Sequence, residues 1–393
     1  MSETSASPAD ELPLRGVRVV ALEQSVAGPL CSRILADLGA DVVKVESPAG
    51  DFARRWDSHV RGSSSYFTWL SRRKRSLRLN LRDAADREIL ERLLRSADVL
   101  VTNMSAAAAE RLGLTEPGLR QRFPRLIACH ITGYGTRGRY RDRKAYDMLL
   151  QAETGLLDLT GDEAGPARIG VSICDIGTGL YAAGLVLAAL IERARTGRGR
   201  FIDLSMFQAM TEFAGPNLTA FANSGVRYER RRLRHHNIVP YGVYACADRH
   251  LVIAVEHDEE WGRFCREVIE RPDLLVPRFA TNELRVAHRD EVDGEVERTL
   301  RSRERAHWVQ RLERAGLAYA CINAIDEVWE HPVAVDLDLH RQVTLPDGSG
   351  ALVMGSPAET AFRAPDRPRL PALDEHREEV LGELTETERE GCP

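Results

Sequence analysis

One carboxylate stands out for chemistry. In Val171-Ser-Ile-Cys-Asp175 an apolar run ends in Asp175, and the sixteen residues Ile176 to Ile191 that follow carry no charge. That pattern puts Asp175 at the start of a helix made of small and apolar residues. Backbone N–H groups and the positive end of the helix dipole are expected to hold it ionised there. From this stretch alone two roles stand open, an N-cap and a nucleophilic carboxylate.

The elements around Asp175 follow from periodicity. Val17 to Leu22 predicts a buried strand, Pro29 to Leu38 a helix closed by Gly39, and Asp41 to Glu46 a second strand. Such a βαβ unit requires a parallel sheet. Its first turn, Glu23-Gln-Ser-Val-Ala-Gly-Pro29, holds one glycine and no G-x-G-x-x-G, so it serves a dinucleotide pyrophosphate poorly. The alternation continues through a helix at 84–96, a strand at Val99–Thr102, a helix at 106–111 and a strand at Leu126–Ile131. After the Asp175 helix, Thr196-Gly-Arg-Gly199 is a stop signal, and Phe201 to Ser205 returns as a strand. The pattern is that of a doubly wound α/β domain.

The texture changes near residue 225. A hairpin is expected from Val243–Cys246 and His250–Val255, with helices near 259–269, 290–301 and 303–315. We read residues 1–13 as a disordered leader, 14–224 plus 329–393 as the large domain, and 225–328 as a smaller α+β domain. The tail has strand-like pieces at Val343 and Leu352–Met354 and a last helix near 374–384, and is expected to return to the large domain.

Composition narrows the class. The 393 residues carry a net charge of −5, which gives no reason to expect a nucleic-acid partner. The basic runs Arg72–Arg75 and Arg230–Arg234 could meet phosphates but are read first as solvated faces. Seven scattered cysteines with no C-x-x-C pair argue against a disulfide framework or zinc site and for a reducing compartment. The first twelve residues are polar and acidic, without a signal sequence, and the uncharged run at 176–191 is too short for a bilayer span. A cytoplasmic protein without a membrane partner is expected.

The chain also resembles class III CoA-transferases from Leu14 to about Leu384. The resemblance is carried by Leu14-Arg-Gly-Val-Arg-Val-Val20, Ala27-Gly-Pro29, Leu38-Gly-Ala-Asp-Val-Val-Lys-Val-Glu46, Gly50-Asp-Phe-Ala-Arg54 and Lys74-Arg-Ser-Leu-Arg-Leu-Asn80. Further carriers are Ala97 to Val101, Arg111-Leu-Gly-Leu114, Gly133-Tyr-Gly135, Ala145-Tyr-Asp147 and Thr196 to Gly199. Their order and spacing together are specific. The resemblance implies that Asp175 is the nucleophile of a CoA transfer that passes through an aspartyl-CoA thioester. It implies CoA contacts at Val26, Ala27, Leu79, Asn80, Leu81, Arg82, Asn103, Arg111, Lys144 and Tyr146. It further implies CoA thioesters as substrates, no tightly bound cofactor, and an intertwined homodimer. The Arg139 to Asp147 run and the Gly50 to Arg54 element look most like members that use short dicarboxylates such as succinate, mesaconate, itaconate or citramalate.

Three departures stand out. The family's Asn-Phe-x-Pro-Gly element reads Asn103-Met-Ser-Ala-Ala107, Val26 stands where some members have glutamine, and the glycine run over the site is replaced by Val255 to Trp261. Glu256 and His257 of that replacement are possible substrate contacts, or simply part of a polar loop. An acyl-CoA racemase is the nearest rival, but its branch has a histidine where Tyr146 stands, and His59 and His130 fall outside the expected motif. A non-catalytic CoA-binding protein on the same fold is the third reading.

Overall fold

The computed structural model describes residues 12–364 and 368–389. Most of the expected leader lies outside the described residues. The chain divides into two compact units, one built from residues 1–156, 169–218 and 332–393, the other from 157–168 and 219–331. These bounds differ from the sequence-based division chiefly in giving the segment 157–168 to the second unit.

The first unit is organised on a six-stranded parallel sheet. In chain order its elements are β1 (Arg18–Leu22), α1 (Ala27–Asp37), β2 (Asp41–Glu46), α2 (Ser65–Ser71), β3 (Lys74–Arg78), α3 (Ala84–Arg95), β4 (Val99–Thr102) and α4 (Ala106–Arg111). Then follow α5 (Glu116–Arg122), β5 (Ile127–Thr132), α6 (Asp147–Glu153), α7 (Ile173–Thr196), β6 (Phe201–Ser205) and α8 (Met206–Phe213). The strand order is β3-β2-β1-β4-β5-β6. Val19 pairs with Val42 on one side and Val99 on the other, so the middle of the sheet is β-branched and buried on both faces. The order reverses between β1 and β4, where open α/β sheets leave a crevice at their carboxyl ends.

β3 corrects the reading of Arg72–Arg75 as a solvated face. Arg72 and Lys74 are almost fully buried, and Lys74 opens an edge strand. Their charges are matched from a distance: Arg72 meets Glu359 at 3.0 Å and Lys74 meets Glu23 at 2.8 Å. A buried cation is tolerable only with such partners.

The helix α7 packs on α1 through Gly179. A Cβ there would lie 2.8 Å from the carbonyl oxygen of Ala27 and 2.9 Å from Cβ of Leu30, so only glycine permits this approach. α7 is longer than its uncharged core. By length and composition alone it is long and apolar enough to cross a membrane, a test that the core helix of a soluble protein also passes, and a little under half of its most apolar window is buried inside the protein.

In the second unit, β7 (Tyr241–Ala245) and β8 (His250–Ala254) form the expected antiparallel hairpin, extended by β9 (Ala318–Ala320). Helices α9 (Asp258–Arg263), α10 (Asn282–Ala287), α11 (Arg289–Leu300) and α12 (Arg305–Ala315) accompany them, and Trp261, Phe264, Val292 and Leu312 share the core of this unit.

The chain then returns to the first unit with the hairpin β10 (His340–Thr344) and β11 (Gly350–Met354), then α13 (Pro357–Ala361) and α14 (Arg377–Arg389). This return caps the exposed edge of β3: the Ser76 N–H donates to Nδ1 of His376 at 3.2 Å and the Arg78 N–H to Asp374 at 2.8 Å. An edge strand left open is an aggregation hazard, and here the tail occupies it.

Candidate active site

At the carboxyl ends of β1 to β4 the crevice opens into a cavity of about 910 Å³. Six of the residues expected to bind CoA line it: Leu79, Asn80, Leu81, Arg82, Asn103 and Arg111. Leu79 is in the core, while Arg82 and Arg111 are exposed. Asn103 has a second task. Its amide accepts the Gln24 N–H at 3.0 Å and donates to the Gln24 carbonyl at 2.7 Å, tying the end of β4 to the β1–α1 turn.

The other four expected contacts fall elsewhere. Val26 and Ala27 are buried at the start of α1 rather than in the cavity wall, because that turn packs inward against Leu30 and Leu70. Lys144 and Tyr146 stand exposed outside it, Tyr146 with 64% of its surface free. Glu256 and His257 are exposed in the second unit, and their backbone N–H groups donate to Glu260 at 2.9 and 3.4 Å.

Beneath the cavity floor lies a set of buried charges. Lys44 on β2 reaches Asp51 at 2.9 Å and Glu23 at 3.6 Å, and Lys74 on β3 reaches the same Glu23 oxygen. Burial lowers the Lys74 ammonium to about 8 despite the pull of Glu23. Burial alone would raise the Glu46 carboxyl, but the Arg54 guanidinium at 2.7 Å, with Lys44 and Ser76, holds it down to about 2. Asp51 also accepts the N–H groups of Ser25 and Ala53, at 3.2 and 2.9 Å. Ser25 has a left-handed φ of 70°, so the turn into α1 is held in a conformation that needs this support.

Asp175 is the third residue of α7. It does not cap the helix. That task falls to Asp147, the first residue of α6, which accepts the Cys174 N–H at 2.8 Å and the Gln151 amide at 2.8 Å. Among the described residues none donates a hydrogen bond to the Asp175 carboxylate. The expectation that Asp175 is held firmly ionised is therefore corrected: burial, and then the charge of Asp147, push its carboxyl up to about 7. A carboxylate in this state is poorly solvated and short of partners, which favours attack on an electrophile.

The neighbouring residue Ile176 packs on the cluster of Val26, Leu30 and Leu70. A continuous path thus runs from the cavity wall at Leu22, Glu23 and Gln24, through the turn, to Val26 and the residue beside Asp175.

Sequence reasoning assigned no task to Asp147, although Tyr146-Asp147 was among the recognised motifs. The spacing of Asp147 and Gln151, one helical turn apart, was the available signal. His130 is set aside by the structure: it is buried, its Nε2 meets the Met104 carbonyl at 2.9 Å, and burial lowers its pKa.

Comparison with known proteins identifies the family. Residues 14–377 match CoA-transferase family III. The succinate–glutarate CoA-transferase of Agrobacterium fabrum is 34% identical, over 97% of this chain and 98% of the relative. The succinyl-CoA:mesaconate CoA-transferase of Haloarcula marismortui is 33% identical, over 94% and 96%. Among solved structures, a CAIB/BAIF family protein from Brucella suis aligns with a TM-score of 0.79 at 32% identity, covering 95% of this chain and all of that one. An aspartate-to-alanine mutant of Rv3272 from Mycobacterium tuberculosis aligns with a TM-score of 0.84 at 30% identity, over 94% and 98%. Matched over nearly its whole length, the chain belongs to CoA-transferase family III and is a CoA-transferase.

Proposed function

We propose that the protein moves CoA from an acyl-CoA donor to a free carboxylic acid through Asp175. The carboxylate attacks the thioester carbonyl, the C–S bond breaks, and an aspartyl-acyl anhydride and CoA thiolate result. The thiolate attacks the aspartyl carbonyl, releases the donor acid and leaves an aspartyl-CoA thioester. The acceptor carboxylate takes the acyl position by the same two steps in reverse order, releasing its own CoA thioester and free Asp175. Lys74 and Lys44 hold the cavity floor, and Asp147 holds the helix start that presents the nucleophile.

The observation that carries this reading is the Asp175 carboxyl itself, half-buried, without a hydrogen-bond donor among the described residues, and next to Ile176, which packs on the turn that borders the cavity. The acceptors proposed are short dicarboxylates, because the relatives named above act on succinate, glutarate and mesaconate. The test is a mass spectrum of the Asp175 peptide after incubation with succinyl-CoA and a panel of other acyl-CoA donors, followed by hydroxylamine. A donor-dependent hydroxamate on Asp175 supports the transfer. Deuterium from solvent entering the acyl-CoA α-carbon, with no CoA exchange, would replace this reading with a racemase.

We also propose that the enzyme works as a soluble cytoplasmic homodimer. Along α7, Leu180 and Ile191 keep 54% and 66% of their surface exposed, with Tyr181 and Leu185 between them, an apolar face more extensive than isolated surface residues produce. A second copy of the chain is the occupant proposed. Light scattering that returned the mass of a single chain would overturn this.

A further inference from the structure

The cavity contains a charge asymmetry. Three carboxylates belong to its wall, Glu23, Glu46 and Asp51, and each is already neutralised by Lys74, Arg54 and Lys44 respectively. Three arginines also line it, Arg82, Arg87 and Arg111, and among the described residues none of them has a carboxylate partner. The wall therefore presents uncompensated positive charge at the arginine end only. Arg87, which no motif singled out, sits one turn into α3. Its Nη1 donates to the carbonyls of Leu81 and Arg82 at 3.5 and 3.3 Å, which holds the guanidinium against the loop that carries Arg82 and leaves its other N–H groups without a partner among the described residues. Arg82 and Arg87 thus lie on one short stretch of the cavity wall, where a bound anion would offset their like charge, a dianion more than a monoanion.

We infer that Arg87 acts with Arg82 as the reader of the ligand's most highly charged group, the 3′-phosphomonoester of CoA, and so sets the preference for CoA over its dephospho form. This rests on the CoA-transferase reading. A phosphomonoester carries about −1.5 to −2 charges near neutral pH, more than either phosphate of the pyrophosphate bridge. Arg111, on α4, remains for that bridge.

The experiment is calorimetric titration of the full chain with free CoA and with dephospho-CoA, on the unaltered enzyme and on Arg87→Gln and Arg87→Lys. The unaltered enzyme is expected to bind CoA more tightly by roughly 10-fold or more, Arg87→Gln to erase most of that ratio, and Arg87→Lys to retain much of it. If Arg87 only braced the loop, Arg87→Gln would weaken both ligands equally and leave the ratio unchanged, which overturns the inference. Should Arg87→Gln not fold, Arg82→Gln is read by the same ratio. Failure of the unaltered enzyme to bind either ligand would instead overturn the assignment of this cavity to CoA, and the inference with it.

Discussion

Asp175→Asn is expected to lose CoA transfer by a factor on the order of 10⁴ or more while gaining stability at alkaline pH. Asparagine keeps the shape and removes the nucleophile, so no hydroxamate should form on the peptide. Transfer within tenfold of the unaltered enzyme would sink the assignment. The stability half follows from the same carboxyl. Its folded value is about 7, against about 3.9 in an unfolded chain. Between those values the folded state binds more protons than the unfolded one, so stability falls as pH rises from about 4 to about 7 and the full penalty stands above that. Asparagine carries no such penalty. Asp175→Asn should therefore be more stable than the unaltered enzyme by about 1–3 kcal/mol at pH 8, with no advantage at pH 4, as read from urea unfolding at both pH values. An equal difference at both pH values would show that the carboxyl is not strained by burial. Activity that depends on the carboxylate form should accordingly rise with pH through about 7.

Lys44→Met carries the second large effect. The ammonium is fully buried between Asp51 and Glu23, and the attraction of these carboxylates, against the cost of burial, raises its pKa. Methionine fills similar space but leaves Asp51 a buried anion with only N–H partners. Breaking a buried pair in this way costs about 3–5 kcal/mol. The urea midpoint should drop accordingly. CoA binding should weaken too, because Asp51 holds the Ser25 N–H and with it the turn that borders the cavity. A change below about 1 kcal/mol would mean that the remaining network absorbs the loss.

Much of the first unit was legible in the residues. β1, α1 and β2 follow from an apolar run, a capped helix and a second run, each set by neighbours a few residues away. The helix start at Asp175 was legible for the same reason. β3 was not. Lys74-Arg-Ser-Leu-Arg78 looks like a charged surface because its partners lie far along the chain: Arg75 meets Asp41 and Glu383, and Lys74 meets Glu23. Nor could the one-turn spacing of Asp147 and Gln151 by itself reveal that Asp147, twenty-eight residues before Asp175, caps the helix that carries it.

Of the residues matched by resemblance, those just past a strand end, such as Asn80 and Asn103, came together in the cavity, whereas Val26 turned into the core. Direction at a turn depends on backbone angles, and the left-handed Ser25 just before Val26 is held by Asp51, which accepts its N–H.

By itself the sequence determined the alternation of strands and helices, the small-residue helix whose first turn carries Asp175 and the family to which the chain is similar, because these depend on residue type and short-range spacing. Only the tertiary structure decided which charges are buried and what each one faces. Asp175 becomes a carboxyl poised near neutral pH because burial and Asp147 disfavour its charge. Lys44 remains a buried cation because two distant carboxylates converge on it. Solvation and charge partnership are properties of the assembled fold, and no local stretch contains them.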